Sequence, residues 1–467
     1  MDTTITVPGV YVKEIPTLPP SVAPVATAIP AFIGYTETAQ SATDPNLTMK
    51  PTRITSMPEY QMLFGQADPE TAIVVTMTTG TDGSVAVTAA LDEAKRTKHL
   101  MWYALQLYFD NGGGPCYICS VGNYAAAMTA TDLKNGLAAV NLVDEPTLIV
   151  YPEAQTLDLV SCVGLYQFTL QQCFALKDRF AIMDLHGADA GQSMNVSTTD
   201  ITDAASKFRS SGSWPLDSAS YGAVYAPNLQ TFISLSYAKD TEVDIDGTKG
   251  KLSDLPATKN QLYNRAIAAI DQIPNNLPPS GAIAGIYAAV DNARGVWKAP
   301  GNVSIADVIQ PTIPISNQIQ STLNIDPTAG LSINAIRAFT GKGTLVWGAR
   351  TLAGNDNEWR YINVRRFCIF VEESISKAAM QFVFEPNDAN TWVKVKGMIE
   401  NFLNVQWRQG ALMGTKAADA YVVSVGLGAT MTAIDVLEGR MKVTVGLCPV
   451  RPAEFIILQF VQLMPTS

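Results

Sequence analysis

Two cysteines, Cys116 and Cys119, stand at the CxxC spacing that zinc sites and thiol redox motifs share. A zinc site needs further ligands at a matching spacing, and the only histidines of the chain are His99 and His186. A redox pair opens a helix, whereas this pair follows a glycine-proline turn and lies in a β-forming segment, residues 116–121. We therefore predict buried structural thiols and no metal site.

The nucleotide-binding motifs are incomplete. Lys342 lies in a Gly-Lys-Gly-Thr sequence like the end of a phosphate loop, but Ile336 replaces the first glycine of that motif. A Gly-Leu-Gly-Ala-Thr-Met sequence lacks the third glycine of a dinucleotide fingerprint, because Met431 occupies that position. The sequence predicts no cofactor.

His186 is the remaining catalytic candidate. It follows a strand-like segment with Asp184 nearby, and α/β enzymes place active-site residues at such strand ends. A lone histidine at this position is more often structural, so we predict no catalytic residue. An α/β enzyme that uses residues 25–325 stays open as the alternative from another class.

The composition bounds the function classes. The 467 residues suggest about three domains or subdomains. Hydrophobic residues make up 47% and charged residues only 16%, which excludes a disordered chain. A net charge of −10 argues against a nucleic-acid partner, because phosphate binding needs a basic face. We expect no signal peptide and no membrane-spanning stretch, and six sparse cysteines fit a reducing cytoplasm.

The pattern of elements indicates an α/β fold. From residue 25 to about 325, helix-like and strand-like segments alternate, which is typical of a sheet covered by helices. The predicted helices cover residues 99–110, 157–176, 202–210, 281–293, 363–380 and 389–408. The predicted strands cover residues 116–121, 179–185, 221–225, 344–351, 359–361, 439–447 and 453–464. A small hairpin insertion is predicted near residues 69–89.

Charge is divided unevenly along the chain. Residues 326–467 hold 14 basic and 12 acidic residues, whereas residues 1–325 carry a net charge of −12. Such a division suggests that the acidic and the slightly basic portions of the chain have different surroundings. The alternative is a chance imbalance between solvated faces.

Both ends of the chain contain β-forming segments. Residues 1–24 hold five prolines, which forbid a helix, and read as an extended arm that reaches ~65–70 Å over about 20 residues. The arm either leaves its own domain or folds back as a first strand on its own sheet.

The last predicted strand is apolar and low in charge, so a free edge there is an aggregation hazard unless something pairs with it. Strand addition between subunits fits both ends, and a head-to-tail contact of this kind generates a filament.

Several segments, in this order and spacing, resemble the sheath protein of contractile phage tails, R-type bacteriocins and extracellular contractile injection systems. The last ~190 residues are the most specific part of the resemblance. The segments are VPGVYVKE from Val7, NGGG from Asn111, PPSGAIAGIY from Pro278, RGVWKAPGN from Arg294, VWGARTL from Val346, WRYINVRR from Trp359, EESI from Glu372, FEPND from Phe384 and PVRPAEF from Pro449.

The resemblance implies a structural subunit and not an enzyme. Sheath subunits stack as rings, usually hexameric, around an inner tube and contract to drive that tube through a target envelope, without nucleotide hydrolysis. It further implies an N-terminal arm (1–24), an outer α/β part (25–325), a C-terminal sheath core (326–452) and a C-terminal arm strand (453–467). Strands from neighbouring subunits would complete the core. The alternative within the same class is another self-assembling shell protein.

The resemblance also assigns site residues and partners. The strands donated to neighbours would contain Val7, Pro8, Gly9, Val10, Tyr11 and Val12 at the start, and Phe455, Ile456, Ile457, Leu458, Phe460 and Val461 at the end. The helix at 389–408 is the candidate tube-facing element, through Lys394, Asn401 and Arg408. The expected partners are the chain itself, the inner tube, the baseplate, cap proteins and sheath paralogues, with no nucleic acid and no membrane insertion. The particle would assemble in the bacterial cytoplasm as a phage tail or a released injection particle.

Overall fold

The structure, a computed structural model, describes residues 21–188, 198–255 and 259–458. The predicted N-terminal strand residues, from Val7 to Val12, lie outside these ranges, as do Phe460 and Val461.

The described strands and helices are numbered in chain order. The strands are β1 Pro30–Thr36, β2 Thr52–Ile54, β3 Ile73–Thr79, β4 Val85–Leu91, β5 Cys116–Asn123, β6 Leu148–Val150, β7 Phe180–Asp184, β8 Gly222–Ala226, β9 Leu229–Thr231, β10 Glu242–Ile245, β11 Thr248–Lys251, β12 Asn275–Leu277, β13 Val303–Ser304, β14 Val308–Pro311, β15 Ile333–Phe339, β16 Gly343–Val346, β17 Tyr421–Val425 and β18 Val443–Leu447. The helices are α1 Met57–Phe64, α2 Met101–Asp110, α3 Ala130–Val140, α4 Leu159–Leu176, α5 Thr198–Ser210, α6 Leu216–Ala219, α7 Asn260–Ile270, α8 Ser280–Arg294, α9 Asn317–Asn324, α10 Ile362–Ala379, α11 Ala389–Arg408, α12 Ala417–Ala420 and α13 Ala433–Leu437.

Among the described residues, a nine-stranded sheet has the order β13-β16-β15-β8-β7-β6-β1-β5-β2. Strands β5, β1, β6, β7, β8 and β15 run parallel, and antiparallel strands lie at both edges. Every residue of β1, β7 and β8 is buried, because helices cover both faces of a parallel sheet. The structure confirms the predicted mixed α/β class.

Helix α4 corrects the expectation that no segment is long and apolar enough to cross a membrane. By length and composition alone it passes that test. One such helix is weak support for a membrane span, since the core helices of soluble folds share these properties. Here Cys162, Leu165, Tyr166 and Leu170 are buried in the hydrophobic core.

A second sheet has the order β11-β10-β3-β4 in the described chain. Strands β3 and β4 form the hairpin over the segment for which an insertion is predicted, and β10 pairs with β3 in parallel. Helix α7 and this sheet share a small core of their own that includes Val75, Val243 and Ile270.

The chain divides into two compact units, and the division falls within helix α10. The large unit contains Val25–Glu373 and the chain from Val450, whereas the small unit contains Ser374–Pro449 and the described residues 21–24. The predicted sheath core, 326–452, spans this division. In the small unit, helix α11 packs against the β17–β18 hairpin.

One predicted strand is wrong, and a second, predicted to pair with a neighbouring subunit, has no partner within the described chain. Residues 359–361 form only an isolated bridge from Tyr361 to Arg350, because Asp356 Oδ1 accepts the amides of Glu358 and Trp359 and curls the chain into a turn. Residues 453–458 form no strand, and no described strand pairs with them. A strand needs a partner for its main-chain groups.

Candidate inter-subunit interface

The hairpin of the small unit has one packed face and one open face. Strands β17 and β18 pair antiparallel, with Val423 opposite Val445. Val423 is buried, and the Tyr421 hydroxyl donates to the Glu400 carbonyl of α11 at 3.2 Å. Val422 and Thr444 point away from this face and are exposed. The alternation follows the period of two that a half-buried strand requires.

Both outer edges of this hairpin lack a strand neighbour among the described residues. Strand β17 pairs only with β18, and β18 only with β17. A two-stranded sheet is marginally stable by itself, and an open edge presents main-chain donors and acceptors to any added strand. The hairpin therefore has two places at which a segment of another chain can extend the sheet.

The C-terminal segment, residues 455–458, is apolar and exposed. Phe455, Ile456, Ile457 and Leu458 are 67%, 78%, 83% and 72% exposed. Monomeric proteins rarely leave four consecutive large apolar side chains in water, so such a run marks an interaction site. These are the four described residues of the six that the resemblance assigns to the donated C-terminal strand.

A partly buried ion pair holds the chain immediately before this segment, with Arg350 4% and Glu454 21% exposed. Both oxygens of Glu454 accept hydrogen bonds from Arg350, at 2.9 Å from Nε and 2.7 Å from Nη2. Asn324 Nδ2 and the Tyr361 hydroxyl donate to the same carboxylate at 2.8 and 3.0 Å. Burial raises the pKa of Glu454, but the Arg350 and Asn324 hydrogen bonds outweigh it and hold the pKa below its usual value. The segment that follows thus begins at a fixed point of the large unit.

The chain near the other end is held in a similar way. Arg366 Nη2 donates to the Thr27 carbonyl at 2.8 Å, and the same guanidinium pairs with Asp291 at 2.6 Å. Both charged side chains are almost fully buried. Asn363, one turn earlier in α10, donates to the Val450 carbonyl at 3.0 Å. The first turns of α10 therefore contact the chain next to both terminal segments.

The three predicted tube-facing residues share one face of α11. Lys394, Asn401 and Arg408 are seven residues apart, a spacing that keeps them on one side of a helix, and all three are exposed. The side of the helix that contains Val395 and Phe402 is buried. Their contact with a tube stays a prediction.

Sequence reasoning missed Glu153, which occupies the crevice where this fold class binds ligands. The chain order reverses between β1 and β6, and α/β sheets bind ligands beyond the carboxyl ends of the strands at such a point. Glu153 lies three residues after the end of β6 and is fully buried there. Its Oε2 accepts from the Tyr35 amide at 2.9 Å, and its Oε1 accepts from the Leu100 amide at the start of α2 at 3.2 Å. The Glu153 carboxyl group thus occupies the position at which a ligand of this fold class would bind.

The other candidate chemical groups have structural roles. His186 Nε2 hydrogen-bonds the Leu157 carbonyl at 2.9 Å, and Asp184 accepts from the Ser280 amide at 2.8 Å. Cys116 and Cys119 are buried, and burial raises the pKa of Cys119 to about 12. Thiols in that environment stay protonated and unreactive at neutral pH.

Glu153 gives a pH dependence that can be measured. Burial raises the pKa of Glu153 to about 8, so the folded chain holds a proton that the unfolded chain releases near pH 4.5. Its contribution to the free energy of unfolding is therefore largest below pH 4.5 and falls towards pH 8, by at most about 1.4 kcal/mol per pH unit. We expect Glu153→Gln to flatten the pH dependence of the melting temperature over this window. Equal slopes for wild type and E153Q contradict this, and E242Q serves as the exposed control.

Comparisons with known proteins identify the family of the chain. Residues 354–462 match the family model of the phage tail sheath C-terminal domain. The chain is 31% identical to a chain of the anti-feeding prophage helical sheath in its contracted state, over 98% of this chain and 100% of that one, with a TM-score of 0.66. For the PVC sheath complex of an extracellular contractile injection system the identity is 30%, the coverage 98% of both chains and the TM-score 0.65.

Curated proteins match over shorter stretches. The tail sheath proteins of Vibrio phage KVP40 and Burkholderia phage BcepMu are 29% and 30% identical over 134 and 145 residues, or 28% and 30% of this chain. The matched stretches span 19% and 30% of those two proteins. The full-length structural matches, at 30% identity or above, define the class, and this chain belongs to the contractile tail sheath family. Its role is that of a structural sheath subunit, as the resemblance predicts.

Proposed function

We propose that the chain polymerises as stacked hexameric rings around an inner tube, and that shortening of this lattice drives the tube through a target envelope. The observation that carries the proposal is the β17–β18 hairpin, which has two open edges in a chain that also exposes the apolar segment 455–458. Main-chain pairing between an edge strand and an extended segment of a neighbour satisfies both features at once.

The strands that complete the hairpin come from neighbouring copies in this proposal. Residues 7–12 and 455–461 supply them, and the contact runs head to tail, so that it continues along a helix. The further partners are the inner tube, the baseplate and cap proteins, with sheath paralogues where an injection system has them. Assembly takes place in the bacterial cytoplasm, before the particle is released.

A non-enzymatic role is consistent with the crevice of the parallel sheet. Glu153 fills the position at the start of α2 where a ligand phosphate would bind, and two backbone amides already donate to it. A side chain added at Gly34 would lie 2.7 Å from the same carboxylate, so the strand and the glutamate fit closely. A substrate could bind in this crevice only if the Glu153 side chain moved out of it.

Negative-stain microscopy of the purified protein over a range of concentrations tests the proposal. Helical tubes or stacked rings support it. Discrete small oligomers at every concentration contradict it and favour the α/β enzyme.

The tube-facing face of α11 is testable by charge reversal. We expect the double variant Lys394→Glu, Arg408→Glu to weaken tube docking about tenfold, because two exposed charges that face a partner contribute about 1.4 kcal/mol together. Co-sedimentation of sheath and tube at low salt measures the docking. The exposed Lys416→Glu of the same unit is the control, and far-UV circular dichroism checks that the subunit stays folded. Docking equal to wild type would show that another surface faces the tube.

A further inference from the structure

The anchor of the C-terminal segment continues into the centre of the large sheet. Arg350, which binds Glu454, is 4% exposed, and its backbone amide donates to Asn334 Oδ1 at 2.8 Å. Asn334 is fully buried on β15, and its Nδ2 donates to the Val224 carbonyl of β8 at 3.1 Å. Buried polar groups connect Glu454 to strand β8 without a gap.

The anchor near the N-terminal segment leads to the same strand. Arg366, which holds the Thr27 carbonyl, lies over the Tyr287 ring at 4.5 Å from the centroid. The Tyr287 hydroxyl is 2.8 Å from the Tyr225 hydroxyl, and both side chains are fully buried. Tyr225 follows Val224 directly in β8.

We propose that strand β8 couples the anchors of the two terminal segments, so that loosening the Glu454 anchor also loosens the chain at residues 25–29. Every member of the two paths is in the large unit. Between the partly buried ends at Glu454 and Thr27, the steps are hydrogen bonds and a ring contact among buried groups, joined by the peptide bond between Val224 and Tyr225. Networks of this kind respond as a unit when a member is lost, because a buried polar group without its partner is costly. The coupling rests on the proposed function for its mechanical role. If both terminal segments are strands donated to neighbours, a force on one donated strand is transmitted through the subunit to the other.

Amide hydrogen exchange of the full-length chain before assembly tests the coupling. Glu454→Gln keeps the size of the side chain but removes its charge, so exchange at residues 450–454 should rise about tenfold. The coupling predicts a second rise, about threefold, at residues 25–29. Tyr225→Phe deletes one hydroxyl of the second path with little change in volume. It should raise exchange at 25–29 and reduce the further rise there when E454Q is added.

The control is Glu242→Gln, which removes an exposed ion pair with Lys249 from β10. It should leave exchange at both anchors unchanged. A rise confined to residues 450–454 in E454Q, with wild-type exchange at 25–29, overturns the coupling. Because the measurement uses the unassembled chain, it is separate from the proposed function: a chain that forms no tubes refutes the sheath lattice but not the coupling.

Discussion

Removal of residues 1–15 is expected to abolish polymerisation and to leave a soluble, folded chain. In the proposed lattice these residues supply the strand that fills one open edge of the β17–β18 hairpin of a neighbour. Several main-chain hydrogen bonds, each with a net value of about 1 kcal/mol, are lost together with the apolar burial of Val7, Val10 and Val12. Association also costs several kcal/mol in lost freedom of motion, so a lattice without these bonds does not persist.

Light scattering after gel filtration and negative-stain microscopy measure the outcome, and circular dichroism reports the fold. A shorter deletion, of residues 2–4, leaves the predicted strand intact and should polymerise as the wild type does. Filaments of normal length from the longer deletion would refute the arm assignment.

Loss of the buried partner of Arg366 is expected to destabilise the large unit by about 3–5 kcal/mol. Asp291 and Arg366 are 4% and 3% exposed, so Asp291→Ala leaves a guanidinium buried without its counter-charge. Tyr287 and the Thr27 carbonyl still contact Arg366, but neither carries a negative charge. Urea unfolding followed by hydrogen exchange within β7 and β8 measures the change unit by unit, since a chain of two units need not unfold in one step.

The double variant Asp291→Ala, Arg366→Met is the matched control for this effect. Removal of both charges eliminates the uncompensated one, so most of the lost stability should return. Asp203→Ala, which breaks an exposed pair with Lys207 in α5, should change stability by less than about 1 kcal/mol. A D291A chain as stable as wild type would mean that water reaches the guanidinium.

Local pattern predicts the centre of the fold well. The apolar runs at 179–185 and 221–225 become β7 and β8, and the helix predicted at 389–408 has those bounds in the structure. What the pattern does not predict is pairing between distant segments. Strand β3 pairs with β10 about 170 residues later, and nothing within either segment encodes that register.

At the candidate inter-subunit interface, too, the sequence predicts the local feature but not the contacts between distant residues. The exposed run 455–458 is visible in the sequence as an apolar, β-forming segment. Its anchor is not, because Asn324, Arg350 and Tyr361 come from three separate elements and meet Glu454 only in the folded chain. The sequence does contain one indication of the anchor. Glu454 is the charged residue next to an apolar strand, and a charge that becomes partly buried there requires a hydrogen-bonding or charged partner. Glu153 has no such signal.

In the proposed lattice, the two open edges of the β17–β18 hairpin also set the kinetics of growth. When two subunits meet in solution, only one hairpin edge gains a paired strand, yet the full entropy cost of association applies. A subunit that joins an existing end pays the same cost but pairs edges on both sides. We therefore expect spontaneous initiation to be rare and elongation to be fast. Assembly should show a lag phase and a critical concentration, and preformed ends should remove the lag as seeds. A complex that presents such an end decides where a sheath starts, at subunit concentrations too low for spontaneous nucleation.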